Sequence, residues 1–87
     1  MHAVIVKVTI KELEAATTAL QEEVVPRASQ APGFVAGYWT RKDNKGVSMI
    51  VFDSEDAAQA ASEQIPSGMP DSVTLDDIEV REVVANA

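Results

Sequence analysis

Residues 32–61, PGFVAGYWTRKDNKGVSMIVFDSEDAAQAA, run a strand, a turn, a second strand and a helix together with no padding between them. Two stretches rich in β-branched and aromatic residues meet at Asp43-Asn44-Lys45-Gly46, whose composition turns a chain back on itself. Ahead of this block, Ala3 to Thr9 places Val4, Val6 and Val8 on one face and Ala3, Ile5, Lys7 and Thr9 on the other. Being apolar on nearly both sides, it reads as a central strand. From Leu13 the period lengthens, and Leu13, Ala16, Leu20, Val24 and Ala28 form one helical stripe. Pro26 lacks an N–H and predicts a kink, or a fresh first turn running to about Ala31. Pro32-Gly33 ends the segment.

After the hairpin, Asp53 or Ser54 supplies an N-cap, with Glu55 and Asp56 at the positive end of a helix running to about Ile65. The inward stripe of that helix, Ala58, Ala61 and Ile65, is small, so the helix either lies close on the sheet or leaves a gap beside it. A last strand begins near Ser72. Its apolar phase slips from Val73 and Leu75 to Ile78 and Val80 across Asp76-Asp77, which implies a bulge or bend. The order is β-α-β-β-α-β, an α+β chain of ferredoxin-like type: a four-stranded antiparallel sheet with two helices on one face.

The 87 residues hold one domain, residues 1–87, with a modest core in which Val dominates the large apolar side chains. A net charge of −7, with seven Lys and Arg scattered from Lys7 to Arg81, leaves no basic stripe for nucleic acid or for an anionic membrane surface. There is no cysteine, and no apolar stretch reaches transmembrane length. Met1-His2-Ala3 opens directly into a strand, and a cytoplasmic location is the expectation.

Reading Asp43-Asn44-Lys45-Gly46 as a three-residue loop with a G1 bulge sets the pairing of the hairpin strands. Tyr38, Ser48, Ile50 and Phe52 then share one face, and Trp39, Arg41, Val47, Met49 and Val51 share the other. A two- or four-residue loop exchanges these companions, because a shift of one residue turns every side chain to the opposite face. In either register the adjacent Tyr38 and Trp39 point to opposite sides. Two helices on one side of a four-stranded sheet leave the other side bare. A face carrying Trp39, Val47, Met49 and Val51 needs a cover, which a second copy provides by symmetry, so a homodimer is expected.

The order of elements, the Pro32-Gly33-Phe34 approach to the second strand, and the passage Phe52-Asp53-Ser54-Glu55-Asp56-Ala57-Ala58 into an Ala-rich helix resemble the antibiotic biosynthesis monooxygenase-like proteins of the dimeric α+β barrel superfamily. The resemblance spans nearly the whole chain. It implies two ferredoxin-like subunits joined sheet to sheet as a barrel, with a small-molecule cavity between helices and sheet in each. On the hairpin reading above, Tyr38, Ser48, Ile50 and Phe52 line that cavity. Some members of the family oxidise aromatic substrates with molecular oxygen and neither metal nor flavin; a related branch degrades haem. The Trp that commonly closes the third strand of active members is Phe52 here, and the Asn that often stands four residues earlier is Ser48. The haem branch uses a His about where this chain has Ala61 and Ser62, so no cofactor is expected.

No nucleophile-base-orienter set and no phosphate-cradling glycine loop occurs, and no residue is assigned a catalytic role. His2 has no second His or Cys to complete a metal site and reads as an exposed strand-end residue. Asp53, Glu55 and Asp56 read as helix capping, and Arg41 with Lys42 as a solvated hairpin tip or a carboxylate-binding pair. Two functions stay open. One is a small protein that binds a hydrophobic or aromatic molecule between helices and sheet with weak activity or none; the other is a cofactor-independent monooxygenase acting on an aromatic or polyketide-like compound.

Overall fold

The computed structural model describes residues 1–87, ordered as β1 (His2–Ile10), α1 (Leu13–Ala19), a π-helical turn (Leu20–Val24), α2 (Val25–Ser29), β2 (Phe34–Lys42), β3 (Lys45–Phe52), α3 (Glu55–Gln64), a 3-10 turn (Ile65–Gly68) and β4 (Val73–Glu82). The strands form one antiparallel sheet in the order β2-β3-β1-β4, with β1 central as its two apolar faces require. This is the ferredoxin-like βαββαβ arrangement. No helix is long and apolar enough to cross a membrane.

One face of the sheet carries the core. Val4 and Val6 of β1, Ile50 and Phe52 of β3 and Ala58 of α3 are buried together, with Ile78 and Val80 packed against them. Phe52 is 1% exposed and meets the half-buried Phe34 edge to face, ring centroids 6.3 Å apart. Because its inward residues are small, α3 settles close on the sheet and Ala58 is sealed completely. Ser54 caps it, its Oγ accepting from the Ala57 N–H at 3.2 Å. Replacing Ser54 by Ala is expected to cost about 1 kcal/mol of stability. Urea unfolding reads this directly, and an unchanged midpoint would mean the cap carries no weight.

The first helical segment behaves differently. From Leu13 to Ser29 none of its residues is buried. Pro26 does not break it. The turn just upstream widens to π geometry, which accommodates a residue whose ring and missing N–H cannot follow the regular ladder, and α2 continues with Pro26 in its first turn. In β4 the register shifts so that Lys7 faces Asp77 and Val8 faces Leu75, leaving Asp76 as the extra residue of the expected bulge. The Asp76 carboxylate accepts from Thr9 Oγ1 at 2.6 Å and lies 3.8 Å from Lys45 Nζ.

The hairpin corrects the sequence reading. Lys42 pairs with Lys45 across a two-residue loop, and the residue with positive φ is Asp43, at 55°, rather than Gly46. Gly46 lies inside β3, where a Cβ would come within 2.9 Å of Val8 Cγ2; it is glycine so that Val8 can lie over it. Trp39 consequently faces Ser48, and Tyr38 faces Met49. A second irregularity, between Phe34 and Ala36, brings Phe34 to the same face as Trp39. The assignment of Tyr38 to the helix side and of Trp39 to the bare side is therefore reversed. Ser48, Ile50 and Phe52 keep the helix side, and Val47, Met49 and Val51 keep the bare one.

Candidate functional site

A cavity of about 340 Å³ lies between the first helical segment and the sheet. It is near the lower end of the roughly 300–1,000 Å³ usual for ligand pockets, enough for a small ring compound. Its floor is Val6, Val8, Trp39, Ser48 and Ile50, with Phe52 at depth. Its roof is Leu13, Ala16, Leu20, Val24 and Ala28, the stripe legible in the sequence. Ala61, Ile65 and Met69 close the side toward α3.

The gap lies chiefly under the first helical segment, and the second helix, where small inward residues had left room for one, contributes Ala61 and Ile65 to its side. The Leu and Val side chains of the first segment hold its backbone off the sheet. The positions beneath them include Gly46 and Ser48, which are too small to fill the space. Leu13 stays 47% exposed in consequence.

Trp39 is the largest side chain on the floor. A Cβ on Gly37 would stand 2.6 Å from Trp39 Cη2 and 2.8 Å from Cζ3, so the indole lies over the bare backbone of Gly37 and presents a flat wall. The indole N–H and the Ser48 hydroxyl, on directly opposed residues, take part in none of the chain's side-chain hydrogen bonds. Both are unpaired donors on residues that line the cavity. The hydroxyl of Thr17 also lines the cavity but donates to Leu13 O at 2.9 Å.

Two lining residues are charged, Arg27 and Arg41; no Asp, Glu, His, Lys, Cys or Tyr reaches the wall. The pairing of Arg41 with Lys42 dissolves in the sheet, since Arg41 opposes Gly46 on the cavity side while Lys42 opposes Lys45 on the other. Tyr38, placed in the cavity by the sequence reading, is 63% exposed on the bare face beside Met49 and Val47, which are 42% and 43% exposed. Trp39, placed in the interface by that reading, is the residue it missed. The signal for it was the hairpin loop length together with Gly37 two residues earlier.

His2 lies away from the cavity and is not an exposed strand end. Its side chain is 20% exposed, with Nε2 3.5 Å from a Glu55 carboxylate oxygen and Nδ1 buried without a partner. No group of three or more His, Cys, Asp or Glu side chains is arranged to hold a metal ion.

No family model matches the chain, and no curated protein matches it. Among solved structures it is similar to a dimeric ferredoxin-like protein from an uncultured marine organism, at 14% identity and a TM-score of 0.67, over 100% of this chain and 98% of that one. It is also similar to MupZ from Pseudomonas fluorescens, at 18% identity and a TM-score of 0.65, over 91% of this chain and 69% of that one. At such identities the likeness is one of fold.

Proposed function

We propose that this chain binds a small hydrophobic or aromatic molecule between its first helical segment and its sheet, with weak turnover or none. We propose too that it does so as a homodimer joined through the bare sheet face, in the manner of the antibiotic biosynthesis monooxygenase-like proteins it resembles. The observation that carries the binding reading is the lining of the 340 Å³ cavity, apolar on floor and roof and walled by the Trp39 indole. Apolar burial favours a guest by roughly 25 cal/mol per Å² before the costs of association. Proton abstraction needs a general base within reach, and the wall supplies no carboxylate, imidazole or phenolate. Dimerisation is supported by the apolar exposure of Tyr38, Val47 and Met49 and by the dimeric state of the marine ferredoxin-like protein.

Trp39 gives the test, because it is the chain's sole tryptophan. Titrating the protein with N-phenyl-1-naphthylamine, an uncharged aromatic probe, is expected to quench Trp39 emission and enhance the probe's. Dilution through subunit dissociation is expected to leave Trp39 emission unchanged, since the indole faces the helices. A probe that binds without affecting Trp39, or an emission shift that follows dissociation alone, would place the guest elsewhere.

The monooxygenase reading draws on the free Trp39 N–H and Ser48 hydroxyl, two donors able to orient an ionised phenol. Oxygen uptake with anthrone-type substrates discriminates: robust uptake abolished by Ser48→Ala establishes catalysis, and binding without uptake leaves the binding reading alone.

A further inference from the structure

Resting on that cavity reading, we infer that the natural guest is a small apolar acid, a ring-bearing or branched monocarboxylate, whose carboxylate is met at the cavity edge by one of two guanidinia, Arg27 or Arg41. The chain has 14 acidic residues against seven Lys and Arg, so a cavity lined without regard to charge would be edged mostly by carboxylates. Every charged residue on this wall is a cation, and a guanidinium.

Both guanidinia are available. The chain's three ion pairs join His2 to Glu55, Lys45 to Asp76 and Arg81 to Glu79, and neither Arg27 nor Arg41 has a carboxylate partner. Arg27 reaches from α2 across to the 3-10 turn, where Nη1 stands 3.4 Å from the Gly68 carbonyl oxygen. That is beyond the usual N–H···O range of about 2.7–3.2 Å, so the contact is weak and leaves the donors of this exposed side chain nearly unused. Arg41 Nη1 donates to Asp43 O at 2.9 Å, which fixes its head at the hairpin end of the cavity. A guanidinium carries about five N–H donors in a fork that suits carboxylate geometry, and each of these uses one. The free Trp39 N–H and Ser48 hydroxyl are donors as well. What the wall lacks is a negatively charged acceptor, and an acid guest brings one. An acidic chain repels anions at long range, so the discrimination must be local, at these two side chains.

Calorimetric titration with 2-naphthoate and 2-naphthalenemethanol isolates the charge, because the two share a ring system and differ in the acid group. The acid is expected to bind about five-fold more tightly than the alcohol, as one exposed ion pair worth up to about 1 kcal/mol allows. One of Arg27→Gln and Arg41→Gln is expected to bring that ratio close to one, and the Lys variant at the same position to retain part of it. Ala28→Phe, which fills the roof, is expected to abolish binding of both compounds. Circular dichroism verifies that each variant folds, and where a Gln variant does not, loss of the ratio with added salt in the wild type reads the same contact. Equal affinities for acid and alcohol, or a ratio indifferent to both arginines, overturn the inference and leave the cavity reading standing. Binding of neither compound removes the cavity reading and this inference with it.

Discussion

Phe52→Ala is expected to lose about 3–5 kcal/mol of stability, the range for removing a fully buried phenylalanine from a core. A chain of 87 residues has, at roughly 0.05–0.15 kcal/mol per residue, only about 4–13 kcal/mol in all. The variant is therefore expected to melt roughly 15–30 °C lower and to be partly unfolded at physiological temperature. The size of the effect follows from position. Phe52 ends β3 on the helix side, is 1% exposed, and is the edge-to-face partner of Phe34. It joins the sealed core beneath α3 to the deep end of the cavity, so the space it leaves has close-packed atoms on one side and nothing to collapse into on the other. Guanidinium unfolding at fixed protein concentration measures the loss, the fixed concentration being needed because association adds to apparent stability. A loss under about 1.5 kcal/mol would show that the helices resettle around the vacancy, and that the core is softer than its burial implies.

What could be read in advance, and what could not, divides along a physical line. The central place of β1 was legible because both of its faces are apolar, the start of α3 because Asp53 and Ser54, either able to cap, precede two acids and an Ala-rich run, and the β4 irregularity because two aspartates interrupt an alternating phase. Each is a local signal with one structural solution. The hairpin register was not of that kind. Gly46 fits the left-handed position of a three-residue loop, and the chain uses it instead to admit Val8, giving the positive φ to Asp43, a residue type that tolerates it. A contact between strands distant in sequence decided which glycine did what, and no local pattern reports such a contact. One residue of slip then exchanged Tyr38 and Trp39 between the two faces.

The place of the cavity was hidden for a related reason. Small residues on α3 left room for a gap beneath it, but small residues also let a helix approach, and Ala58 shows that approach won. The gap opened under the larger Leu and Val side chains of the first segment, because their opposite numbers on the sheet include Gly46 and Ser48. Cavity placement depends on both layers together, whereas periodicity describes one layer at a time.

The corrected register also sharpens what the bare face can do. With Tyr38 there in place of Trp39, the face carries Tyr38, Val47 and Met49 exposed, Val51 buried, and Ile5 half-buried beside Met49 on β1. Toward β4 it becomes charged, with Lys7 opposite Asp77 and Glu79 beside Arg81, whose Nη2 lies 2.6 Å from the Glu79 carboxylate. An apolar half bordered by a charged half suits an isologous contact, in which each apolar residue is covered by the partner's matching patch and the charges stay at the rim. Met49→Glu places a carboxylate in the middle of the apolar half. Symmetry makes it count twice, since each subunit loses a methionine worth roughly 1.5–3 kcal/mol when buried and gains a charge that must be desolvated. The expected loss of at least about 4 kcal/mol raises the dissociation constant about a thousand-fold, so sedimentation equilibrium at micromolar concentration is expected to find wild-type dimer and Met49→Glu monomer. Ala60→Glu, on an exposed position of α3, supplies the control and is expected to leave the dimer intact. The separated Met49→Glu monomer should still quench Trp39 with an aromatic guest, because the cavity lies on the other side of the sheet. A wild-type monomer would remove the barrel assembly, and a dimer that survives Met49→Glu would move the contact to a different surface.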